Sequence, residues 1–163
     1  WEISKKTGLN ISILRLPLVY GEGVKGNLNR LLKLVKSGIP LPFGMINNQR
    51  SMIGLDNLSD LIIRCLEHPA AVGKTFLVSD GEDLSTPELL NLIASSMRKS
   101  PRLLPVPVFV LKYIAIALNR SEEMNKIISS LKVDSLFTRE TLNWLPPVSV
   151  SEGIRKMVQS SYD

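Results

Sequence analysis

The stretch "SMIGLDNLSDLIIRCLEHPAAVGKTFLVSD", Ser51 to Asp80, contains the pattern that decides the fold class. "SMIGL" predicts a short strand, and "DNLSDLIIRCLEH" predicts a helix with Asp56 or Asn57 as its cap. "KTFLVSD" predicts a second strand, closed by a turn at Asp80 and Gly81. The inward-facing positions of the helix are expected to be Leu58, Leu61, Ile62 and Cys65. A strand, a helix and a strand in succession predict an α/β fold.

The flanking segments extend the alternation in both directions. Upstream, "NISILRLPLVYG" predicts one buried strand running into a loop, and "GNLNRLLKLVKSG" predicts an amphipathic helix that stops at Gly38. Downstream, "LSTPELLNLIASSM" predicts a helix with a capping box formed by Ser85 and Glu88. "RLLPVP" is compatible with a short edge strand, and helices are predicted over 108–118, 135–142 and 149–160. The sequence therefore predicts an α/β arrangement that ends in a helical tail.

Length and composition set the class of protein. The 163 residues, of which 44% are hydrophobic, suffice for one domain or for a piece of a larger one. The longest apolar stretch, Val106 to Asn119, is interrupted by Lys112 and is too short to span a bilayer, which leaves a core helix or an interfacial helix. The net charge of +5 permits an anionic ligand, but the cations are scattered rather than interleaved with aromatic residues, which argues against nucleic-acid binding.

The sequence does not support a nucleophilic cysteine, a metal site, a Ser-His-Asp triad or a P-loop. The single cysteine, Cys65, lies in a helical apolar pattern and is expected to be a small buried hydrophobe. The single histidine, His68, is expected at a surface helix end, so no metal-ligand cluster and no Ser-His-Asp set can be assembled. "GEGVKG", Gly21 to Gly26, is glycine-rich but lacks the Lys-Ser/Thr pair of a P-loop.

The start of the chain resembles the end of a helix. In "WEISKKTG", Lys5 and Lys6 suit a helix C-terminus and Gly8 suits the residue that ends it. The chain has no initiator methionine and no signal-peptide pattern. We therefore expect a fragment of a longer, cytoplasmic protein.

Arg50 lies in a polar loop, "NNQR", immediately before the predicted strand "SMIGL". Composition and periodicity leave two interpretations of this residue. It is either a solvated surface charge, or a guanidinium held by the turn so that it meets an anion.

The ordered series "ISILRLPLVYG", "GNLNRLLKLVKSGIPLPFG", "NQRSMIGLDNLSDLI", "TFLVSDGEDLSTPELL" and "LNWLPPVSVSEGI" covers nearly the whole chain. It resembles the C-terminal half of the NAD-dependent nucleotide-sugar epimerase/dehydratase family, the extended short-chain dehydrogenases. The similarity is greatest to the bacterial O-antigen branch that acts on UDP-sugars. The resemblance implies the last part of a Rossmann half over residues 1–24 and mainly a nucleotide-sugar-binding lobe over residues 25–163.

The resemblance also implies roles for single residues. The substrate-binding candidates are Asn27, Leu28, Leu41, Phe43, Arg50 and Lys126. Arg50 would clamp the diphosphate, Asn27 and Leu28 would open a helix whose N-terminus faces it, and Leu41 and Phe43 would sandwich the uracil. Lys126 stands where relatives place a second basic residue, usually arginine. For Asn27 a plain helix cap, and for Leu41 and Phe43 a packed turn, are equally compatible with the sequence.

The resemblance places one loop of this chain next to the cofactor. Leu16, Pro17 and Val19 would lie near the nicotinamide of NAD or NADP, although they also fit the apolar end of a strand. Leu18 stands where some relatives have a sugar-contacting asparagine. The glycine motif, the Ser/Thr and the Tyr-x-x-x-Lys pair of the family are not in this chain, and the resemblance places them upstream of Trp1.

The resemblance implies hydride transfer at sugar C4, by an epimerase or a 4-ketosugar reductase, with this chain supplying only the substrate-binding half. The alternative is a non-catalytic regulatory protein of the same superfamily that senses a dinucleotide. Either way the expected partners are a UDP-sugar and the chain's own N-terminal Rossmann half. A homodimer is also possible, because an isolated half would expose the face that packs on the other half.

Overall fold

The computed structural model describes residues 2–161. The elements in chain order are α1 (Glu2–Thr7), β1 (Ile13–Arg15), β2 (Leu18–Tyr20), α2 (Gly26–Ser37), β3 (Met52–Gly54), α3 (Leu55–Glu67), a 3-10 turn (Pro69–Ala71), β4 (Thr75–Leu77), α4 (Thr86–Ser96), α5 (Val108–Ala117), α6 (Ser121–Ile128), α7 (Leu136–Leu142) and α8 (Val150–Ser160). The predicted α/β class is confirmed.

The strands form two parallel pairs. β1 pairs with β4, with Leu14 opposite Phe76, and β2 pairs with β3, with Val19 opposite Ile53. The sequence predicted one continuous strand where the structure has β1 and β2. Pro17 lies between them and has no N–H to donate, so the strand breaks there and its two parts pair with different partners.

The β2–β3 pair separates two apolar clusters. Leu18 and Met52 pack into one cluster with α2, α4 and α8, whereas Val19 and Ile53 pack into the other with α3 and β4. Side chains of a strand alternate between its faces, so both faces of this short pair are covered. The larger cluster lies on the side that contains Arg50.

Helix α2 follows its predicted pattern. Its buried residues are Leu28, Leu31, Leu32 and Val35, and Gly38 ends it with a φ of 71°. The cap is not Asn27, however. The helix begins at Gly26 after Lys25, whose side chain makes no capping hydrogen bond, so Asn27 is the second helical residue. The interpretation of Asn27 as a helix cap is wrong.

Helix α3 begins earlier than the sequence indicated. Its N-cap is Gly54, so neither Asp56 nor Asn57 is the cap. Leu58 and Leu61 are buried as expected, but Ile62 is 43% exposed and Cys65 is half-buried. Burial raises the pKa of the Cys65 thiol, which suits a packed side chain rather than a nucleophile. His68 ends α3, and its Nδ1 accepts from the Ala70 N–H at 3.2 Å.

The C-terminal half of the chain holds one helix that the sequence did not predict, α6. The capping box at Ser85 and Glu88 is present, and the helices predicted over 108–118, 135–142 and 149–160 are confirmed within one residue at each end. The predicted edge strand in "RLLPVP" is reduced to a single bridge between Leu103 and Leu41.

Candidate functional site

The backbone of Arg50 is held from two sides. Its N–H donates to the Leu84 carbonyl at 2.9 Å, and the Leu84 N–H donates back at 3.0 Å. On the other side, Ser51 N–H donates to the Leu131 carbonyl, and Leu131 N–H donates to the Gln49 carbonyl, both at 2.9 Å. The segment 49–51 is therefore pinned between two other segments, which fixes the direction in which the Arg50 side chain leaves the backbone.

Asn48 joins three elements beside this segment. The side chain is 2% exposed, and its Nδ2 donates to the carbonyls of Ile127 at 3.0 Å and Ser129 at 3.1 Å. Its Oδ1 accepts from the Thr86 N–H at 2.8 Å. One amide thus ties the end of α6 and the start of α4 to the Arg50 segment. Sequence analysis did not single out Asn48, because "NNQR" has the composition of an ordinary turn.

The Arg50 guanidinium is half-buried and reaches α6. Its Nη1 donates to the Lys126 carbonyl. Burial lowers its pKa from the ordinary value, yet an arginine remains protonated at neutral pH. Within residues 2–161 the other N–H groups of this guanidinium have no protein partner, and none of them is fully buried. These donors are available to an anion.

Two helix N-termini lie beside Arg50 along one narrow cleft. Its lining includes Asn27, Leu28, Arg50, Ser85, Thr86 and Ile127. The first turn of α2 has no acidic residue, and the one in α4, Glu88, accepts from the Ser85 N–H at 2.7 Å. The start of α2 has no side-chain cap and no acidic residue, so its N–H groups and positive end remain available to an anion beside Arg50. The start of α4 is already satisfied, because Asn48 accepts from the Thr86 N–H and Ser85 accepts from the Glu88 N–H. The cleft volume is about 20 Å³, room for a single water molecule.

Lys126 meets Arg50 through its backbone. It lies in the last turn of α6, where its carbonyl accepts from the guanidinium and its side chain is exposed. The structure thus places both predicted basic residues at one site, but the ammonium group is on the solvent side.

Leu41 and Phe43 lie in the larger apolar cluster rather than in the Arg50 cleft. They are 3% and 6% exposed. Their turn is tied to the segment before α5, because Leu41 N–H donates to the Arg102 carbonyl and Leu104 N–H donates to the Leu41 carbonyl, both at 2.8 Å. In this conformation their side chains are core groups.

The predicted cofactor residues lie around the break between β1 and β2. Leu16 is 49% exposed, Pro17 is half-buried, and Val19 packs against the smaller apolar cluster. The intervening Leu18 lines the Arg50 cleft. The exposed part of this loop offers an apolar surface, and the exposed Arg15 directly precedes it.

A second polar cluster, centred on Asp80, escaped the sequence analysis. Its carboxylate accepts from the Tyr20 hydroxyl at 2.7 Å, the Gly54 N–H at 2.9 Å and Asn57 Nδ2 at 2.7 Å. Asn57 in turn bonds both the N–H and the carbonyl of Val148. Burial, reinforced by Asp80, raises the pKa of Tyr20 well above its ordinary value, so the phenol stays protonated. The network joins β2, β3 and the segment before α8.

Among residues 2–161, no group of three or more His, Cys, Asp or Glu side chains is placed to hold a metal ion. No helix in the described part of the chain has the length and apolar character needed to cross a membrane.

Comparison with known proteins gave consistent relatives. The chain is 40% identical over 159 residues to a UDP-glucose 4-epimerase of Vibrio cholerae, covering 97% of this chain and 48% of that protein. It is 24% identical to the N-acetyl-α-D-glucosaminyl-diphospho-ditrans,octacis-undecaprenol 4-epimerase of Escherichia coli O157:H7, covering 99% of this chain and 52% of that protein. The chain spans about half the length of these curated relatives. No family model matches it.

A solved structure shares the fold. The crystal structure of UDP-glucose 4-epimerase from Thermotoga maritima with UDP-glucose superposes with a TM-score of 0.69 at 20% identity, over 99% of this chain and 48% of that one.

Proposed function

Because the chain matches the C-terminal half of the nucleotide-sugar epimerases and dehydratases among the extended short-chain dehydrogenases, we propose that it is the substrate-binding half of a UDP-sugar 4-epimerase. The carrying observation is the Arg50 guanidinium, fixed between the N-termini of α2 and α4 with donors to spare. This arrangement suits a diphosphate, which accepts paired hydrogen bonds from arginine and single bonds from the uncapped N–H groups that open α2.

We propose that, when the diphosphate binds, a phosphate oxygen replaces the Lys126 carbonyl as the acceptor for Arg50. The bond from Nη1 to the Lys126 carbonyl closes the cleft, and the cleft as it stands is too small for a diphosphate. A phosphate oxygen replaces that carbonyl, and α6 moves outward. The Lys126 ammonium then adds a second charge at the rim. The bonds from Asn48 to Ile127 and Ser129 act as the hinge, because they hold the end of α6.

The uracil is proposed to contact the turn that contains Leu41 and Phe43. Because both side chains are buried in the core, this contact requires the turn to loosen from the segment ending at Leu104. The proposed alternative within the same site is that these side chains only support the turn, whose backbone then faces the base.

NAD or NADP is proposed as the cofactor, and this chain fits only its nicotinamide end. The exposed Leu16 and the adjacent Pro17 can cover one face of an apolar ring and exclude water from it. When bound, the nicotinamide supplies hydride transfer at sugar C4. The role of the residues in this chain is to bind and orient the sugar diphosphate, since proximity and orientation are what a hydride transfer requires from its binding lobe. The acid–base groups are proposed to belong to the N-terminal half.

The N-terminal half is proposed to pack on the side of the chain that holds the smaller apolar cluster, where α3 and β4 lie. Two-stranded parallel pairs are rarely stable alone, and α3 and β4 expose Ile62, Ile63, Leu66 and Leu77. We propose that residues 1–24, together with α3 and its flanking strands, complete a larger Rossmann sheet with the N-terminal half. Cytoplasmic localisation is part of this proposal, and a homodimer is the alternative way to cover the same face.

Turnover by the full-length protein tests the proposal. UDP-sugar is incubated with the protein and NAD⁺ or NADP⁺, and the products are separated by chromatography while absorbance at the reduced nicotinamide band is followed. Interconversion of C4 epimers without net absorbance change is expected. Net oxidation or reduction would instead assign a 4-ketosugar reductase. UDP-sugar binding without any turnover would favour the non-catalytic, dinucleotide-sensing protein.

A second candidate substrate is a sugar diphosphate attached to a polyprenyl lipid. The name of the Escherichia coli relative specifies a substrate of that class. The observation that favours it here is the apolar helix α5, which packs on α6, the helix that meets Arg50. Competition between UDP and a water-soluble short-chain prenyl diphosphate sugar distinguishes the two substrates.

A further inference from the structure

Helix α5 presents an apolar stripe to solvent. Phe109, Tyr113 and Ile116 follow one another at helical spacing and are 63%, 72% and 65% exposed. Only Leu111 and Ala115 of this helix are buried. Beside the stripe, a shallow groove of about 190 Å³ runs between α5 and α6. Three large apolar side chains contiguous on one surface helix mark an interaction surface rather than scattered exposure.

The segment that carries the stripe has cations but no carboxylates, and the next acidic residues are Glu122 and Glu123 in the first turn of α6, where Glu123 pairs with Arg30 and Arg120. Residues 98–121 contain five cationic side chains, Arg98, Lys99, Arg102, Lys112 and Arg120, and no acidic residue. Two of them are engaged within the protein: Arg120 pairs with Glu123 at 2.9 Å, and Lys99 Nζ donates to the Lys36 carbonyl at 2.7 Å. The other three, Arg98, Arg102 and Lys112, have no carboxylate partner within residues 2–161.

An anionic lipid surface fits this combination better than a second copy of the chain. A helix of ten residues is ~15 Å long, so it can lie in the plane of a membrane interface but cannot cross a bilayer. Phe and Tyr suit the headgroup region, and unpaired cations are attracted to anionic lipids. In a two-fold dimer the same face would meet itself, which would bring Lys112 and its neighbours against like charges.

We propose that the α5 face, defined by Phe109, Lys112, Tyr113 and Ile116, is a membrane-docking surface that seats its apolar stripe in the headgroup region of an anionic bilayer. The proposal uses none of the residues assigned to the UDP-sugar site, although α5 is also the feature that favours the lipid-linked second candidate substrate. Its consequence is a protein that works at a membrane surface, with α6 and Arg50 close to the lipid.

Vesicle flotation of the full-length protein tests this surface. The vesicles contain phosphatidylethanolamine with phosphatidylglycerol, and phosphatidylcholine vesicles provide the neutral comparison. We expect at least about tenfold stronger partitioning onto the anionic vesicles, weakened by salt. The triple change Phe109→Ser, Tyr113→Ser and Ile116→Ser should abolish it, and Lys112→Glu should reduce it by about fivefold or more.

The matched control is Leu145→Ser, a residue that is 74% exposed and outside α5, which should bind like the wild type. Turnover of a water-soluble UDP-sugar shows that each variant is folded, and failure of that activity in the wild type would overturn the proposed function without touching this inference. Should the triple change impair folding, Lys112→Glu alone decides. Three results would overturn the proposal. The first is equal vesicle binding by the wild type and Lys112→Glu, and the second is no preference for anionic over neutral vesicles. The third is a dimer that the triple change converts to a monomer while vesicle binding stays unchanged.

Discussion

Asn48→Leu is expected to destabilise the protein far more than its place in a polar loop suggests. The substitution replaces an amide by an apolar group of similar volume at a site that is 2% exposed. It removes three hydrogen bonds, to the carbonyls of Ile127 and Ser129 and from the N–H of Thr86. The Ile127 carbonyl retains the Thr86 hydroxyl at 2.7 Å. The other two backbone groups lose their partners.

The magnitude follows mainly from the Thr86 N–H, because Thr86 is buried whereas Ser129 is exposed and its carbonyl can bond water. An unpaired buried N–H costs ~1–3 kcal/mol, and this is the expected loss in the free energy of unfolding. Urea unfolding of the full-length protein, compared between variants, measures it. Asn47→Leu, at the exposed neighbouring position, is the control and should change stability by less than about 0.5 kcal/mol. If Asn48→Leu costs no more than Asn47→Leu, the amide does not hold α4 and α6 as described.

Two further predictions concern other parts of the fold. Gly153→Ala should lower the free energy of unfolding by ~1–3 kcal/mol, because a Cβ at this position would lie 2.9 Å from the Tyr20 ring. The hydrogen bond from the Tyr20 hydroxyl to Asp80 keeps the ring from moving aside. An unchanged denaturation midpoint would show that the ring moves after all. The capping bonds from Ser85 lower the pKa of Glu88, so Glu88 stabilises α4 above the ordinary carboxyl pKa and loses this effect as pH falls through the lowered value. Glu88→Gln should therefore reduce stability at pH 7 and show a shallower decline on acidification, and parallel pH profiles would contradict this.

The sequence predicted the elements whose signals are local. The capping box needs only Ser85 and Glu88 at the right spacing, and the buried face of α2 needs only its period. The helix that starts the chain and ends at Gly8 was also predicted, and Gly8 has a φ of 70°. Family resemblance, which the relatives support, predicted the α/β class and the similarity to the C-terminal half of an extended short-chain dehydrogenase.

What the sequence did not predict depends on distant partners. The split of "ISILRLPLVY" into β1 and β2 arises because strands 62 and 34 residues downstream pair with different halves of it, as Leu14 with Phe76 and Val19 with Ile53 do. Helix α6 is only eight residues long and has no side-chain cap, so the charge pattern of Glu122 and Glu123 in its first turn and Lys126 in its last turn was its main sequence signal and was overlooked. Asn48 and Asp80 look like turn residues, and only tertiary contacts reveal the networks around them.

For the candidate site, the resemblance named Arg50 and Lys126 but not their geometry. The structure brings them together through the Lys126 backbone rather than its ammonium group. Leu41 and Phe43 are core residues here, and their contact with a base remains a prediction.

The central claim, that Arg50 clamps a diphosphate, is tested most directly by calorimetric titration of UDP into the full-length protein and its Arg50→Ala variant. Loss of charge-assisted hydrogen bonds of ~1.5–3 kcal/mol predicts a Kd about 10- to 100-fold higher in the variant. Arg155→Ala, which removes an exposed arginine paired with Glu152 on α8, should bind UDP like the wild type. Equal UDP affinity in Arg50→Ala and Arg155→Ala would contradict the account.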